Sequence, residues 1–325
     1  MNAPTQQPYV RPDVRAFLDF LNNLPGPKTH EVGAVEARKM MLAMREVADL
    51  PVGELAVQAD IAIAGPGGGE LPMRLFDARE SREAGPLVLF FHGGGWVIGD
   101  IDTHAPFCAE MARALDLPVV SVDYRLAPEH PWPAAPEDCE AAARWAAAGA
   151  EGLGREVTGL VLAGDSAGGN LAIVTALALR DRPAERPVLA QFPIYPATDM
   201  ETVFPSYEQF AAGHLLTREA MDWFGECYSA DVAHWRGSPI KADQAGMPPT
   251  LVITASLDPI RDQGRAYAAA TAAAGVETVF LEAAGSIHGF ISLTKAIPSA
   301  RADNARALAH LKQMIADAAA RRAAA

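Results

Sequence analysis

The amino-acid sequence predicts an α/β fold in which helices cover both faces of a mostly parallel, eight-stranded sheet. Two observations support this fold class. From residue 87 onward, short apolar runs alternate with segments of helical spacing, which is the pattern of strand–helix–strand units. The chain has 325 residues, of which 50% are hydrophobic and 21% are charged, so it can bury one large core.

Eight segments have the length and the apolar content of β-strands. The first two flank a glycine cluster at 65–69, which predicts a turn between antiparallel strands at the edge of the sheet and is assigned no chemistry. The eight segments are 57–63, 71–76, 87–91, 118–122, 159–163, 188–192, 250–255 and 277–282.

Helical spacing recurs between the later strands, and two further regions fall outside this alternation. Residues 1–50 predict two helices, around 12–23 and 35–47. Residues 196–245 interrupt the sheet between the sixth and seventh strands and contain a predicted helix at Thr217–Ser229. The helices expected to cover the sheet are 104–115, 137–148, 169–181, 262–274 and 302–318.

The interruption carries Met221, Phe224 and Tyr228 at helical spacing, with Trp223 beside them. Ordinary packing accounts for most such side chains. The alternative, which we favour, is a cap over the carboxyl ends of the strands that excludes water and shapes a pocket. The expected organisation is an N-terminal helical cap segment at 1–50, a core at 51–195 and 246–325, and a cap insertion at 196–245.

Ser166 lies in a Gly-x-Ser-x-Gly motif that follows an apolar run and opens a helix. The motif runs from Gly164 to Gly168 and continues with Gly169. A strand, a sharp turn and a helix in this order form a nucleophile elbow, which projects the serine hydroxyl above the sheet. A serine that caps a helix after a glycine turn is the structural alternative.

The segment His92–Trp96, with three consecutive glycines, follows the apolar strand 87–91. Glycines expose backbone N–H groups, which suits the stabilisation of a developing oxyanion. The alternatives are a flexible turn and a phosphate-binding loop, but the P-loop pattern with its lysine is missing. We expect His92 to brace this loop through hydrogen bonds and not to act in catalysis.

An acid and a histidine follow Ser166 in the order expected of an α/β-hydrolase. Asp258 comes just after the strand 250–255, and His288 lies in a loop after the last strand. His288 differs from the other seven histidines in this position and in the glycine after it. Asp165 is a competing acid, but its place beside Ser166 suits a local role in holding the turn. Asp262 opens the next helix, where an acid caps the helix end or interacts favourably with the helix dipole.

Five ordered motifs resemble the hormone-sensitive-lipase family of bacterial carboxylesterases, over about residues 85 to 295. Two departures are mild: Gln263 stands where the family commonly has Glu, and Ile260 where it has Leu, so local packing or substrate-side contacts are in doubt. The resemblance implies an α/β-hydrolase fold with a helical cap. The five motifs are His92–Trp96, Asp123–Glu129, Gly164–Gly169, Asp258–Asp262 and His288–Phe290.

The expected mechanism assigns one role to each motif. His288 takes the proton of Ser166, and Asp258 holds the imidazole in the right tautomer. The N–H of Ala167, next after the nucleophile, receives the oxyanion. The resemblance adds the N–H groups of Gly94 and Gly95, with Gly93 as the residue that shapes the loop. We expect Asp123–Arg125 to form a structural hydrogen-bonding cluster.

The predicted function is hydrolysis of carboxylic esters with short- to medium-chain acyl groups through an acyl-serine. Trp96 beside the glycine loop would limit the space for the acyl chain. An acyltransferase would use the same residues, and an amidase or peptidase shares the chemistry. The alternative of another class is a non-catalytic receptor such as the plant gibberellin receptors, which resemble this family but have lost the histidine that His288 represents here.

Composition excludes two classes of partner, so the expected partner is the small-molecule ester that the motifs imply. The net charge of −13 argues against nucleic acid, and the apolar runs are too short for a membrane span. Residues 1–8 lack the charged and apolar regions of a secretory signal, so we expect a cytoplasmic protein. No cofactor or metal is expected, and a homodimer is left open. The cysteines, which have no metal-ligand spacing, are Cys108, Cys139 and Cys227.

Overall fold

A computed structural model describes residues 8–150 and 152–323, so most of the segment that bears on a secretory signal lies outside the described residues. The predicted strands all occur, in one sheet of eight strands with the order β1-β2-β4-β3-β5-β6-β7-β8. This confirms the predicted fold class. The strands are β1 (Val57–Ala64), β2 (Glu70–Asp77), β3 (Gly85–Phe91), β4 (Val119–Val122), β5 (Val157–Asp165), β6 (Val188–Ile194), β7 (Thr250–Leu257) and β8 (Thr278–Ile287).

The edge hairpin has the predicted antiparallel pairing. β2 pairs antiparallel with both β1 and β4. All the other neighbouring pairs in the sheet, from β4–β3 through to β7–β8, are parallel. In the turn, the N–H of Gly65 donates to the carbonyl of Gly69 at 2.7 Å, and Gly68 has a φ of +82°. Glycine adopts this left-handed backbone without a steric penalty, which explains the cluster at this turn.

The predicted helices also occur, within a few residues of their expected bounds. α9 continues past its predicted end because alanine is the strongest helix former. The short helix α6 was not predicted. Within the described residues the helices are α1 (Pro12–Asn22), α2 (Ala34–Ala48), α3 (Ile101–Leu115), α4 (Ala134–Ala147), α5 (Ala167–Asp181), α6 (Pro205–Gln209), α7 (Arg218–Tyr228), α8 (Arg261–Ala273) and α9 (Ala300–Ala323).

The core lies on both faces of the sheet. Successive residues of a strand point to opposite faces, so Val88 and Phe90 pack with α1, α3 and α9, while Leu89 and Phe91 pack with α4, α5 and α8. Burial on both faces explains why the central strands are continuous apolar runs without polar alternation.

The last strand is longer than predicted. β8 ends at Ile287 and not at 282, and its pairing with β7 is irregular between Ala255 and Leu257. The residues from Ala283 to Ser286 have small, weakly apolar side chains, so the hydrophobicity pattern did not indicate that the strand continues there. His288 is therefore the first residue after the strand and does not lie further along a loop.

Hydrogen bonds join the N-terminal segment to residues on both sides of His288. The N–H of Arg11 donates to the carbonyl of Gly285 at 3.1 Å. The carboxylate of Asp13 accepts the N–H of Ser299 at 2.8 Å. The carboxylate of Asp49 accepts the hydroxyl of Thr294 at 2.6 Å. No helix among the described residues has the length and apolar content needed to cross a membrane.

Candidate active site

Ser166 occupies a sharp turn between β5 and α5. Its backbone has φ +55° and ψ −116°, a conformation that non-glycine residues rarely adopt and that costs energy. The glycines around it leave no room for side chains: a Cβ on Gly168 would lie 1.9 Å from the carbonyl oxygen of Phe91, and one on Gly164 would lie 2.3 Å from the carbonyl oxygen of Gly168. The motif therefore has the strand, turn and helix that it predicts.

The structure brings the three predicted residues together at the carboxyl ends of β5, β7 and β8. Nε2 of His288 lies 2.9 Å from Oγ of Ser166, and Nδ1 of His288 lies 2.7 Å from Oδ2 of Asp258. Asp258 is fully buried, and its other oxygen accepts the N–H of Ile260 at 2.9 Å. This second bond fixes the carboxylate behind the imidazole, so one continuous chain of hydrogen bonds runs from Asp258 to the serine hydroxyl.

The glycine loop after β3 presents unengaged N–H groups beside this chain. Among the described residues, none accepts a hydrogen bond from the N–H of Gly94, Gly95 or Ala167. Gly94 and Gly95 have φ of +119° and +60°, and a Cβ on Gly94 would lie 2.1 Å from the carbonyl oxygen of Ile98. Both glycines are thus needed for the backbone to take this path, and the three free donors suit an oxyanion.

His92 is buried under the loop. Its Nδ1 lies 2.8 Å from the carbonyl oxygen of Gly93. The backbone carbonyl of His92 accepts the hydroxyl of Tyr124 at 2.6 Å. Burial lowers the pKa of His92 to about 4, so its ring is neutral at neutral pH. The ring braces the loop. Next to Tyr124, the guanidinium of Arg125 forms an ion pair of 2.8 Å with Asp138, and this pair stabilises the turn after β4.

Asp165 joins the serine turn to the glycine loop. Its Oδ1 accepts the N–H of Gly93 at 2.7 Å, and its Oδ2 accepts the hydroxyl of Tyr195 at 3.3 Å. A Cβ on Gly93 would lie 2.4 Å from the same carboxylate. This local role is the one that the sequence suggested for Asp165, and its carboxylate makes no hydrogen bond to His288 among the described contacts.

Two residues near the site had no assigned role in the sequence. His104, on α3, places Nε2 3.2 Å from Oδ1 of Asp165. Phe224, on α7, lies against Gly95, where a Cβ would come within 2.2 Å of its ring. Helical spacing grouped Phe224 with packing residues. The one sequence signal for His104 is its position in the helix that follows the glycine loop.

Asp262 lies apart from the histidine. It occupies the first turn of α8, where its Oδ2 accepts the N–H of Ser206 on α6 at 3.0 Å. It also pairs with Arg261 at 2.8 Å. The sequence left two roles open for Asp262, a cap on its own helix or a favourable interaction with the helix dipole. Ile260 occupies the N-cap position, and Asp262 lies in the first turn, where its charge favours the dipole. Its carboxylate also ties the segment between β6 and β7 to α8.

A cavity of about 640 Å³ opens at Ser166. Its wall combines Trp96 of the glycine loop with residues between β6 and β7 and with the start of α8. Among the described residues, none from 8–50 lines it. The apolar part of the wall consists of Trp96, Met200, Val203, Leu216, Met221, Phe224, Val232 and Ile260.

The part of the chain that the structure describes holds no group of His, Cys, Asp and Glu side chains arranged to bind a metal ion. Cys108 and Cys139 are buried free thiols, and Cys227 is a partly buried one.

Comparison with known proteins places the chain among ester hydrolases. Residues 88–292 match the family described as the alpha/beta hydrolase fold. The carboxylesterase NlhH of Mycobacterium tuberculosis is 34% identical over 319 residues, which cover 96% of this chain and 99% of that protein. The carboxylic ester hydrolase LipN of the same organism is 42% identical over 275 residues, which cover 80% and 70%.

Solved structures agree with these relatives. An ester-hydrolase, EH1AB1, from the metagenome of Lake Arreo has a TM-score of 0.88 and 38% identity over 94% of this chain and 98% of that one. An esterase from Pyrobaculum calidifontis has a TM-score of 0.85 and 36% identity over 94% and 99%.

Proposed function

Since the chain belongs to the carboxylesterases of the α/β-hydrolase family that are related to hormone-sensitive lipase, we propose that it hydrolyses esters of short- to medium-chain acids through a covalent acyl-serine. The observation that carries the proposal is the hydrogen-bonded chain of Ser166, His288 and Asp258 beside three unengaged N–H groups. A hydroxyl needs a neighbouring base to become an effective nucleophile, and His288 is placed to be that base for Ser166.

In the first half of the reaction, Oγ of Ser166 attacks the ester carbonyl while its proton passes to Nε2 of His288. The carbonyl oxygen becomes an oxyanion that accepts hydrogen bonds from the N–H groups of Gly94, Gly95 and Ala167. Collapse of this intermediate breaks the bond to the alcohol, which leaves with the proton from His288. Asp258 accepts the hydrogen bond from Nδ1 throughout and stabilises the imidazolium.

In the second half, a water molecule attacks the acyl-serine. His288 accepts a proton from the water, and the same N–H groups receive the new oxyanion. The bond to Oγ then breaks, the proton returns to Ser166, and the carboxylic acid is released. Hydrolysis thus differs from acyl transfer only in the acceptor, water or an alcohol.

The wall of the cavity supports a limit on acyl length. Trp96 and Phe224 are bulky rings in the wall of the cavity that opens at Ser166, where they would limit the space for a long chain. We therefore propose a preference for acyl groups of about four to eight carbons, since each buried methylene contributes about 0.8 kcal/mol only while the pocket has room for it.

We propose that residues 196–245 act as the cap over the site and that residues 1–50 support it from outside the cavity. The support rests on contacts of the N-terminal segment with the proposed cap. The 3₁₀ turn Thr29–Glu31 packs against α7. The side-chain amide of Asn22 donates to the carbonyl of Gly213 at 3.1 Å.

The test is a panel of p-nitrophenyl esters of graded acyl length, assayed with the wild type and with Ser166→Ala. We expect hydrolysis that peaks at short to medium chains and depends on Ser166. Product analysis with added ethanol separates hydrolysis from acyl transfer, because a transferase would form the ethyl ester in preference to the free acid. A panel without turnover would instead favour the receptor alternative.

A further inference from the structure

His104 lies beneath the glycine loop and outside the proposed chain of catalytic residues. It is 1% exposed, on the first turn of α3, and its Nε2 lies 3.2 Å from Oδ1 of Asp165, which is itself 4% exposed. Two ionisable side chains buried together at this depth are costly unless each satisfies the other. The pair is therefore worth explaining.

Both ring nitrogens of His104 have a hydrogen-bond partner. Nδ1 lies 3.0 Å from the hydroxyl oxygen of Thr103, which also accepts the N–H of Asp100 at 2.9 Å. Nε2 faces the carboxylate of Asp165, which accepts hydrogen bonds, so Nε2 carries a proton.

The electrostatics of the pair favour the ionised form of each group. Burial is the largest influence on the pKa of His104 and lowers it, but the charge of Asp165, its hydrogen bond and the contributions of Asp100 together outweigh burial, so the pKa is raised overall. Burial is likewise the largest influence on the pKa of Asp165 and raises it, but the charge and hydrogen bond of His104, with smaller contributions from His288 and the N–H of Gly93, together outweigh burial, so the pKa is lowered overall.

The oxygen that His104 contacts also holds the glycine loop. Oδ1 of Asp165 accepts the N–H of Gly93, directly before the two glycines whose N–H groups would receive the oxyanion. Because Gly93 packs against this carboxylate without space for even a Cβ, a rotation of Asp165 would displace the loop. Orientation of Asp165 and position of the loop are thus coupled.

The charge of Asp165 matters as well. Asp165 precedes Ser166 in the chain, so an uncompensated buried carboxylate there would oppose the negative charge that develops on the substrate oxygen. Charges in a site with low dielectric interact strongly. A positive charge on His104, 3.2 Å from Oδ1 of Asp165, offsets this effect.

We propose that His104 is a positioning residue of the esterase, which acts through Asp165 to hold the glycine loop in place for the oxyanion and to neutralise the carboxylate next to the nucleophile. The proposal rests on the proposed serine mechanism.

The test compares His104→Leu, which removes the N–H donor towards Asp165, with His104→Gln, whose neutral amide can still donate towards Asp165. His310→Leu, at an exposed position of α9, is the matched control. The probes are two ketones of equal chain length, trifluoromethyl hexyl ketone and methyl hexyl ketone. Oγ of Ser166 adds to the carbonyl carbon of the trifluoromethyl ketone, and its proton passes to His288. The hemiketal oxyanion that results accepts hydrogen bonds from the N–H groups of the glycine loop and Ala167. The methyl ketone binds as an unreacted carbonyl.

For His104→Leu we expect kcat to fall about 100-fold, since loss of one oxyanion donor has an effect of about that size, while KM changes less than about threefold. Inhibition by the trifluoromethyl ketone should weaken in parallel with kcat, and inhibition by the methyl ketone should not change. His104→Gln should recover part of both losses, and His310→Leu should match the wild type.

Because His104 acts through Asp165, the double variant His104→Leu/Asp165→Asn should lose no more activity than the worse single variant. Additive losses would contradict the coupling. A folded His104→Leu protein with kcat within about threefold of the wild type would overturn the proposal, as would equal weakening of both ketones. If His104→Leu does not fold, the test is the ratio of the inhibition constants of the two ketones, measured with His104→Gln. A ratio equal to that of the wild type counts against the proposal. Loss of the serine mechanism itself would appear separately, as wild-type activity that survives in Ser166→Ala.

Discussion

The ring of Phe224 occupies the place where a side chain on Gly95 would have to be. A Cβ built on Gly95 would lie 2.2 Å from Cγ of Phe224, so α7 touches the backbone of the glycine loop directly. The proposed cap and the proposed oxyanion hole are therefore in contact. Phe224 links the two, because its side chain lines the cavity and also packs on the loop.

Phe224→Ala should shift the acyl preference towards longer chains. Removal of the ring enlarges the cavity beside Ser166, and each additional methylene that it then buries should raise kcat/KM by up to about fourfold, which corresponds to about 0.8 kcal/mol. The measurement is kcat/KM across p-nitrophenyl esters of increasing length. Trp145→Leu, on α4 and outside the cavity wall, is the control and should keep the wild-type optimum. An unchanged optimum in Phe224→Ala would show that the acyl chain lies elsewhere.

Ser166 should be the single site of covalent labelling. A fluorophosphonate should inactivate the wild type with one adduct on the peptide that contains Ser166, as mass spectrometry can establish. Ser166→Ala should lose activity by about a millionfold while it keeps a residue above the uncatalysed rate, because binding and the oxyanion donors remain. An adduct on Ser121 or Ser256, or an active Ser166→Ala protein, would move the nucleophile.

Substitution of Asp258 should lower turnover, whereas substitution of Asp262 should lower stability. Asp258→Asn removes the acceptor behind Nδ1 of His288 and should lower kcat by about 10⁴-fold. Asp262→Asn weakens the link to Ser206 and should lower the free energy of unfolding by about 1 kcal/mol with little effect on kcat. Turnover and urea unfolding of both variants decide the matter. The reverse pattern would identify Asp262 as the acid of the site.

Asp77 should make stability depend on acid pH. Burial raises the pKa of Asp77, but the hydrogen bond from Arg82, the N–H of Arg79 and the hydrogen bond from Arg155 outweigh it, so the pKa is lowered overall. A lowered pKa stabilises the fold above the unfolded value of about 4, and this stabilisation is lost as pH falls from there towards the folded value. Asp77→Asn should therefore be less stable than the wild type by about 3 kcal/mol at pH 7, with a gap that shrinks below about pH 4.

Urea unfolding at a series of pH values measures this gap. Asp317→Asn, an exposed acid on α9, is the control and should show a gap near zero at every pH. A gap for Asp77→Asn that stays constant from pH 7 to about pH 3 would mean that ionisation of Asp77 does not contribute.

The sequence predicted the features that depend on neighbouring residues. Strands buried on both faces are long apolar runs, and the glycines around Ser166 identify a turn that only they permit. Contacts between distant segments were not predictable: Gly95 meets Phe224 and Asp165 meets His104 only because of how the helices pack. The end of β8 was misplaced because small residues near Gly285 carry no hydrophobic signal. The sequence could group Ser166, Asp258 and His288, which are hydrogen-bonded together in the structure, because parallel strands gather their carboxyl ends at one edge.

The bonds between the N-terminal segment and the residues on both sides of His288 also bear on the order of folding during synthesis. The buried side chains of Val14, Phe17 and Leu18 on α1 leave the ribosome first, yet the carbonyl of Gly285 and the residues around Ser299 that receive this helix are made last. The apolar face of α1 therefore stays uncovered while almost the whole sheet is translated, a period in which nascent chains are prone to aggregate. These late contacts lie on both sides of His288, so the proposed base belongs to the part of the chain that is made and docked last.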